Sequence, residues 1–187
     1  MGSTLTVDNI VGATTAANVK LPAGTILQTV SGTFSDVDHS FTANSWADID
    51  SSLNLTITPK YATSKLLITG NILLGVQDDA APMIRLSVNG SEVGSATNVG
   101  SRSAGHTGMA YIYYTSRGSE TYYEMFSNTI HFLTNAIGTT NAIVCKPQVR
   151  NFDPSAVVTR INTSAYNGNV DWTGVGVSSF TVQEVSQ

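Results

Sequence analysis

Residues 60–75 read KYATSKLLITGNILLG and form the longest apolar run in the chain. Counted with a period of two, one face of this run is wholly apolar and comprises Leu66, Ile68, Gly70, Ile72 and Leu74. The opposite face mixes polar and apolar side chains, namely Lys65, Leu67, Thr69, Asn71 and Leu73. This alternation predicts a central strand of an antiparallel sandwich, with its inner face on the core and its outer face half covered.

Alternating segments lie on both sides of this run, LNLTITPK at residues 53–60 and MIRLSVNG at residues 83–90. We expect them to form the strands that flank it. The second segment ends in Asn89-Gly90. This pair predicts a two-residue hairpin turn, because a type I′ turn needs positive φ at both positions.

Short alternating runs separated by turn signals continue along the chain and predict about ten strands. They cover residues 25–31, 53–57, 65–75, 84–88, 91–93, 109–114, 121–133, 142–150, 157–163 and 177–185. No long segment has the 3.6-residue period of a helix, although Ser45 could cap a single turn at residues 45–52. The predicted fold class is all-β: an antiparallel, jelly-roll-like β-sandwich of about ten strands with an extended N-terminal arm.

Two of the predicted strands contain an irregularity. Ser127-Asn128 interrupts the pattern of residues 121–133 and predicts a β-bulge. Pro147 lies within residues 142–150 and cannot donate a hydrogen bond to a neighbouring strand, which predicts a sheet edge or a bulge at this position.

The composition excludes several classes of protein. Only 12% of the 187 residues are charged, about half the usual ~25%, and the basic residues are scattered singly. The chain therefore lacks the basic stripe of a nucleic-acid binder, and no apolar run approaches the ~20 residues of a membrane span. The N-terminus lacks the pattern of a secretory signal, so we expect synthesis in a cytoplasm. Low charge is typical of chains that bury surface against copies of themselves, since Lys and Glu are depleted at such interfaces.

Residues 1–24 are small and polar, with a sparse apolar set that cannot order the segment by itself. We interpret them as an arm, separate from a sandwich domain at residues 25–187, that lies on a neighbouring subunit or on a larger assembly. Its anchoring side chains are predicted to be Leu5, Val7, Ile10 and Val11. The alternative is a first strand folded back on its own domain.

No residue pattern predicts nucleophilic catalysis or a bound cofactor. The histidines His39, His106 and His131 are far apart in the sequence. A dyad of one of them with Cys145 is conceivable, but Cys145 falls in the middle of a predicted strand, where a small buried hydrophobe is expected. We therefore predict that the protein is not an enzyme.

Carboxylates are the remaining candidates for metal binding or catalysis. Two Asp-x-Asp pairs at residues 36–38 and 48–50 provide oxygen atoms but lack the Gly and distal Glu of a calcium loop, so we predict solvated loops and no metal ion. A polysaccharide hydrolase would need two carboxylates in one cleft, for which Glu120, Glu124 and the loop aspartates are the candidates. This hydrolase is the least favoured alternative.

Aromatic side chains are concentrated in the predicted strands at residues 109–114 and 121–133. Rings on the inner faces of these strands would join the core. Rings on the outer faces would form a subunit interface, where Tyr and Phe are enriched, or a platform for sugar rings in a carbohydrate-binding module. The candidates for these two roles are Tyr111, Tyr113, Tyr122 and Phe126.

The run WADIDSSLNLTITPKYATSKLLITGNILL at residues 46–74 combines several short patterns. They are an aromatic residue, Asp-Ile, a short alternating strand, Ile-x-Pro-Lys, and Ser-Lys before an apolar strand. Here these positions are Trp46, Asp48-Ile49, residues 53–57, Thr58-Pro59-Lys60 and Ser64-Lys65. The run resembles a segment shared by small structural proteins of tailed bacteriophages, notably marine and cyanobacterial phages.

Three further pieces are similar to the same family: STLTVDNIVGATTAANVKLPAGTILQ at residues 3–28, RINTSA at residues 160–165, and SSFTVQEVSQ at residues 178–187 with Glu184. Cys145 and Pro147 depart from the family, which usually has Tyr and an unbroken strand there.

The resemblance implies a homotrimeric jelly-roll fibre or head-decoration protein, akin to β-sandwiches of the complement and tumour-necrosis-factor type. Its location would be the virion, assembled in the host cytoplasm. The arm would contact other virion proteins, and the sandwich would face a host surface, where a glycan is a further candidate partner.

Overall fold

The computed structural model describes residues 21–37, 39–42, 44–76, 80–97, 100, 104–108, 124–151, 158–166, 168–171 and 173–187. Within these residues the chain forms β-strands and a single 3₁₀ turn, Ser51–Leu53. The strands are β1 Ile26–Phe34, β2 Ser40–Phe41, β3 Ala47–Asp48, β4 Leu55–Ile57, β5 Lys65–Val76, β6 Pro82–Val88, β7 Ser91–Val93, β8 Thr107–Gly108, β9 Met125–Leu133, β10 Ile143–Asn151, β11 Thr159–Ile161 and β12 Ser178–Val185. The strand expected at residues 109–114 lies outside the described residues.

The strands form two antiparallel sheets that pack face to face. The first sheet has the order β1-β12-β5-β11-β2, with β9 paired to the other edge of β5. The second has the order β3-β10-β6-β7, with β4 paired to β10 and β8 paired to β6. The longest-range pairs are nested along the chain, β1 with β12, β4 with β10 and β5 with β9. This nesting is the arrangement of a jelly roll and confirms the predicted antiparallel β-sandwich. The predicted extended arm, apart from residues 21–24, lies outside the described residues.

Strand β5 is the centre of the first sheet, as the sequence predicts. Its inner side chains Leu66, Ile68, Ile72 and Leu74 have no exposed surface, and its outer side chains are half-buried. Each fully buried Leu or Ile contributes roughly 1.5–3 kcal/mol to the free energy of folding. This strand therefore supplies much of the core between the sheets.

The two neighbouring segments are strands, as predicted, but they do not flank β5 within its sheet. Strands β4 and β6 both belong to the opposite sheet, and the partners of β5 are β12, β11 and β9. The reason is topological: the chain crosses from one sheet to the other between β4 and β5 and crosses back between β5 and β6. Neighbours in the sequence consequently face each other across the core.

The β6–β7 hairpin is confirmed, and the predicted bulge is wrong. Asn89 and Gly90 have φ values of 49° and 81°, and Val88 pairs with Ser91. By contrast, β9 pairs with β5 without a register shift through Asn128. Asn128 is only 5% exposed, and its Nδ2 donates to the carbonyl oxygen of Phe126 at 3.4 Å. A polar residue is thus accommodated on the inner face without breaking the strand.

Pro147 lies in the interior of the second sheet and not on an edge strand. On one side β10 pairs with β6 without interruption. On the other side, the last residue of β3 lies opposite Gln148 and the first residue of β4 lies opposite Cys145. The Pro147 carbonyl oxygen accepts a hydrogen bond from Ile49 N on this second side. In an antiparallel strand the N–H of a residue points the same way as its carbonyl, so the missing donor falls in the gap between the two short strands.

The two ends of the sandwich domain meet beside each other. Gly24 N donates to the Ser186 carbonyl at 2.8 Å, and Ser186 N donates to the Thr25 carbonyl at 2.9 Å. Ser186 Oγ also donates to the Leu21 carbonyl at 3.3 Å. Residues 21–25, the turn at residues 61–64, the end of β9 and the end of β12 lie at one end of the sandwich, which we call the base.

Gly75 permits a close approach of two segments at the other end of β5. A Cβ at this position would collide with the Thr163 carbonyl oxygen and lie 2.6 Å from Ser164 Cα. We expect Gly75→Ala to lower the free energy of unfolding by about 1–3 kcal/mol, because backbone atoms must shift to relieve the overlap. Urea denaturation measures the loss. Gly174→Ala is the matched control, since the nearest atom to its Cβ is Met125 Cε at 3.4 Å; equal losses in both variants would contradict the explanation.

Candidate functional site

The outward side chains of β1, β12, β5 and β9 form a surface that we call the neutral grid. The four strands pair in an unbroken register here, which places the residues in rows across the sheet. The rows are Thr33–Ser179–Asn71–Thr129, Ser31–Thr181–Thr69–His131 and Thr29–Gln183–Leu67–Leu133. With histidine neutral, no position in these rows carries a formal charge. Lys65 lies just beyond the last row.

The neutral grid is large enough to be the centre of a protein interface. Strands lie about 4.8 Å apart and outward residues about 6.7 Å apart along a strand, so the rows cover roughly 400 Å². A stable interface takes about 800 Å² from each partner. Covering hydroxyl and amide groups also avoids the large desolvation cost of covering unpaired charges. The grid can therefore be covered by a neighbouring subunit at low desolvation cost, but it would need a surrounding rim to form a stable contact.

The outer face of the second sheet has the opposite character and carries a charged network. Asp48 accepts hydrogen bonds from Lys146 Nζ and Gln148 Nε2, both at 2.6 Å. Arg85 continues the network: its Nε donates to Gln148 Oε1 at 2.8 Å and its Nη1 to Glu92 at 3.3 Å. The Arg85 guanidinium also lies 4.6 Å from the ring centre of Trp46.

Asp48 is the carboxylate at the centre of the charged network. Burial alone would raise the pKa of this carboxyl, but the hydrogen bonds from Lys146 and Gln148 outweigh burial and hold the pKa below its usual range. The group therefore stays ionised. A face with fixed, partly exposed charges keeps its best solvation in water, so it is suited to face outward from an assembly.

Glu184 forms a buried clasp at the base of the sandwich. Its carboxylate is fully buried and accepts hydrogen bonds from Lys60 N at 2.8 Å, Tyr61 N at 3.2 Å and Ser64 Oγ at 2.7 Å. Gln28 Nε2 donates to its other oxygen at 2.6 Å. These donors come from β1 and from the turn before β5. One side chain on the last strand therefore ties together the start, the middle and the end of the sandwich domain.

The clasp connects several residues of the run at residues 46–74 with the final strand. Pro59-Lys60 and Ser64-Lys65 bound the turn whose amides and hydroxyl surround Glu184. Pieces that are more than a hundred residues apart in the sequence thus form one connected structure. Their role in this chain is to stabilise the fold, because the buried Glu184 carboxylate already accepts four hydrogen bonds from within the sandwich.

The structure places the residues of the conceivable thiol–imidazole dyad in different surroundings. His39 packs edge-on against Phe34, with ring centres 5.4 Å apart. His106 and His131 are brought together, since His131 N donates to His106 Nε2 at 3.4 Å. Cys145 is completely buried in β10, in register with Val88 and Leu55. The prediction of a buried structural cysteine is confirmed.

Burial also decides the reactivity of Cys145. It raises the pKa of the thiol to about 12, so the reactive thiolate is scarce at neutral pH. We expect no labelling of the native protein by iodoacetamide at pH 7.5 and complete labelling after unfolding in guanidinium chloride, as read by intact mass. Rapid labelling of the native protein would contradict the observed burial.

The acidic loops have structural roles where they are described. Asp50 Oδ1 accepts a hydrogen bond from Ser52 N at 2.7 Å, and this bond lowers the pKa of the Asp50 carboxyl. Asp50 therefore caps the turn Ser51–Leu53, and the prediction that Ser45 caps a turn at residues 45–52 is wrong in position. Asp38 lies outside the described residues. Among those that are described, no three His, Cys, Asp or Glu side chains are grouped closely enough to hold a metal ion.

Most of the predicted interaction residues lie outside the described part of the chain. This applies to the arm residues Leu5, Val7, Ile10 and Val11 and to the aromatic residues Tyr111, Tyr113 and Tyr122. Phe126 is described: it is partly buried and packs against the hydrophobic core from β9. Its position corresponds to the inner-face alternative for the aromatic series.

The neutral grid was not predicted from the sequence, although a signal for it exists. In β12 the outward residues Ser179, Thr181 and Gln183 alternate with buried ones, and none is charged. Recognising the grid also needs the order of the strands, which the alternation does not contain.

No helix in the described part of the chain has the length and apolar character needed to cross a membrane. Comparison of the sequence with known proteins finds no protein family model that matches it and no similar curated protein.

Proposed function

We propose that the protein is a non-enzymatic structural protein of a tailed-phage virion, a homotrimeric fibre or decoration protein held on the particle by residues 1–24. The observation that carries the assembly part is the contrast between the two outer faces. The neutral grid can be covered at low desolvation cost, whereas the charged network of the second sheet is better left in water. Subunits would therefore associate through the first sheet and present the second sheet outward.

The virion part of the proposal is supported by the sequence resemblance. Its pieces include the tryptophan-led run at residues 46–74 and the final strand. Because Glu184 joins the final strand to the turn after Pro59, these pieces resemble one connected structural unit and not a set of unrelated short matches. The trimeric state in this proposal is also what the resemblance implies.

Sedimentation equilibrium of the full chain at micromolar concentration tests the assembly. We expect a mass about three times that of the chain, with little change between 0.1 and 0.5 M salt, because an uncharged contact is screened weakly by ions. A stable monomer under these conditions would refute the proposed trimeric state.

Electron microscopy of phage particles tests the location. Particles assembled with an epitope-tagged copy of the chain are expected to bind a gold-labelled antibody at fixed positions on the tail or head. Labelling only of free protein, with none on intact particles, would refute the virion assignment.

A further inference from the structure

A groove of about 300 Å³ opens at the base of the sandwich, between the β6–β7 hairpin and residues 134–139. Its walls are mostly apolar and include Val88, Val93, Phe132, Ile137 and Ile143. None of the side chains that line it is titratable. The groove is therefore suited to a neutral occupant with aliphatic side chains.

In the part of the chain that the structure describes, the rim of the groove offers hydrogen-bonding groups without partners. Asn89 Oδ1 accepts a hydrogen bond from Val144 N at 2.9 Å, which leaves its Nδ2 available. The exposed side chain of Asn135 has no hydrogen-bond partner within the described residues. Side-chain amides of this kind pair well with the N–H and C=O groups of an extended peptide.

The groove lies close to the point where the arm joins the sandwich. Ile137 N donates to the Ser64 carbonyl at 3.0 Å, and Gly138 N donates to the Ala62 carbonyl at 2.8 Å, so the turn at residues 61–64 fixes one wall of the groove. The same turn, through Tyr61 and Thr63, lines a small cavity with Leu21. The ends of β1 and β9 at the base are three strand spacings apart, roughly 14 Å.

The arm is long enough, and of the right chemistry, to occupy the groove. Residues 12–20 can span up to about 30 Å, which exceeds the distance across the base. The segment 12–18 reads GATTAAN, so the first large aliphatic side chains beyond it are Ile10 and Val11. Within residues 1–20 the only formally charged side chains are Asp8 and Lys20.

We propose that Ile10 and Val11 of the arm bind in this groove and that Asn89 and Asn135 pair with the main chain around them. The inference rests on the proposed function in one respect, that residues 1–24 act as an anchoring arm. Docking of Ile10 and Val11 leaves Leu5 and Val7 to contact the assembly. The arm would thus be fastened to the base of a sandwich before it reaches other virion proteins.

Cysteine cross-linking in the full chain tests the docking. A disulfide needs Cα atoms within about 7 Å of each other, and the buried Cys145 contributes no reactive thiol. We expect a chain carrying Val11→Cys and Asn135→Cys to form a disulfide in high yield with a mild oxidant. Peptide mapping identifies the bond: a cross-link within one chain places the arm in its own groove, and a cross-link between chains places it in a neighbour's groove. Either result supports the proposal.

The matched control pairs Val11→Cys with Thr56→Cys, which is exposed on the outer face of the second sheet. Equal yields in the two pairs, or no disulfide in the Val11/Asn135 pair, would overturn the docking and leave the groove to a small neutral ligand. Sedimentation of the same variants separates this inference from the proposed function. A trimer without the cross-link refutes only the docking, whereas a monomer with an internal cross-link refutes only the assembly.

Discussion

Replacement of Glu184 by alanine is expected to lower the free energy of unfolding by about 4 kcal/mol. The change removes a carboxylate that accepts hydrogen bonds from Lys60 N, Tyr61 N and Ser64 Oγ. Each donor left unpaired in a buried place costs roughly 1–3 kcal/mol, and bonds to a charged acceptor lie at the upper end. For a domain of this size the loss corresponds to a fall in Tm of roughly 10 °C. Urea denaturation and calorimetry at one fixed protein concentration measure it.

Two further glutamate substitutions make the experiment specific. Glu184→Gln keeps one carbonyl oxygen for the three donors, so a smaller loss of about 1–2 kcal/mol is expected. Glu92→Ala removes a partly exposed ion pair with Arg85 and is expected to cost less than about 1 kcal/mol. If Glu184→Ala proved no more harmful than Glu92→Ala, the clasp would not be a main support of the fold.

Thr181→Arg is expected to convert the proposed trimer to monomers at micromolar concentration. Thr181 lies in the middle row of the neutral grid, paired with Ser31 on one side and Thr69 on the other. An arginine there places a charge at the centre of each proposed subunit contact. A charge that is buried and unpaired in such a contact costs several kcal/mol. The folded sandwich should tolerate the change, because the Thr181 side chain points away from the core. Light scattering coupled to size-exclusion chromatography measures the mass, and circular dichroism checks the fold.

The control for this experiment is Thr56→Arg on the exposed outer face of β4. The same charge is added to the opposite sheet, so the proposed trimer should persist. If Thr181→Arg stayed trimeric while Thr56→Arg dissociated, the two faces would exchange roles: the second sheet would carry the subunit contact.

The sequence predicts which side of a strand is buried much better than it predicts which strands are neighbours. The alternation in β5 correctly separated Leu66, Ile68, Ile72 and Leu74 from the outer residues, because burial acts on each position by itself. Pairing depends on the path of the whole chain. The neighbours of β5 are therefore the distant β9 and β12, and not the segments next to it in the sequence.

Polar residues at inward positions were the least predictable feature. The sequence pattern predicts a bulge at Ser127-Asn128, whereas Asn128 lies within a regular strand. Glu184 was noted only as part of a resemblance, although its inward position after Phe180 and Val182 is the sign of a buried carboxylate. The donors that satisfy it come from another part of the chain, so its role can be recognised only once the fold is known.

If the proposed virion location is right, the meeting of residues 21–25 with residues 185–187 determines what a labelled particle would show. An antibody tag fused after Gln187 would emerge at the base, next to the arm, and would mark the attachment point on the particle. A tag inserted at residues 168–171 would emerge away from the base, because this loop precedes β12 and so lies at the far end of that strand. The distance between the two labels in one image would give the direction in which the sandwich points from the virion surface.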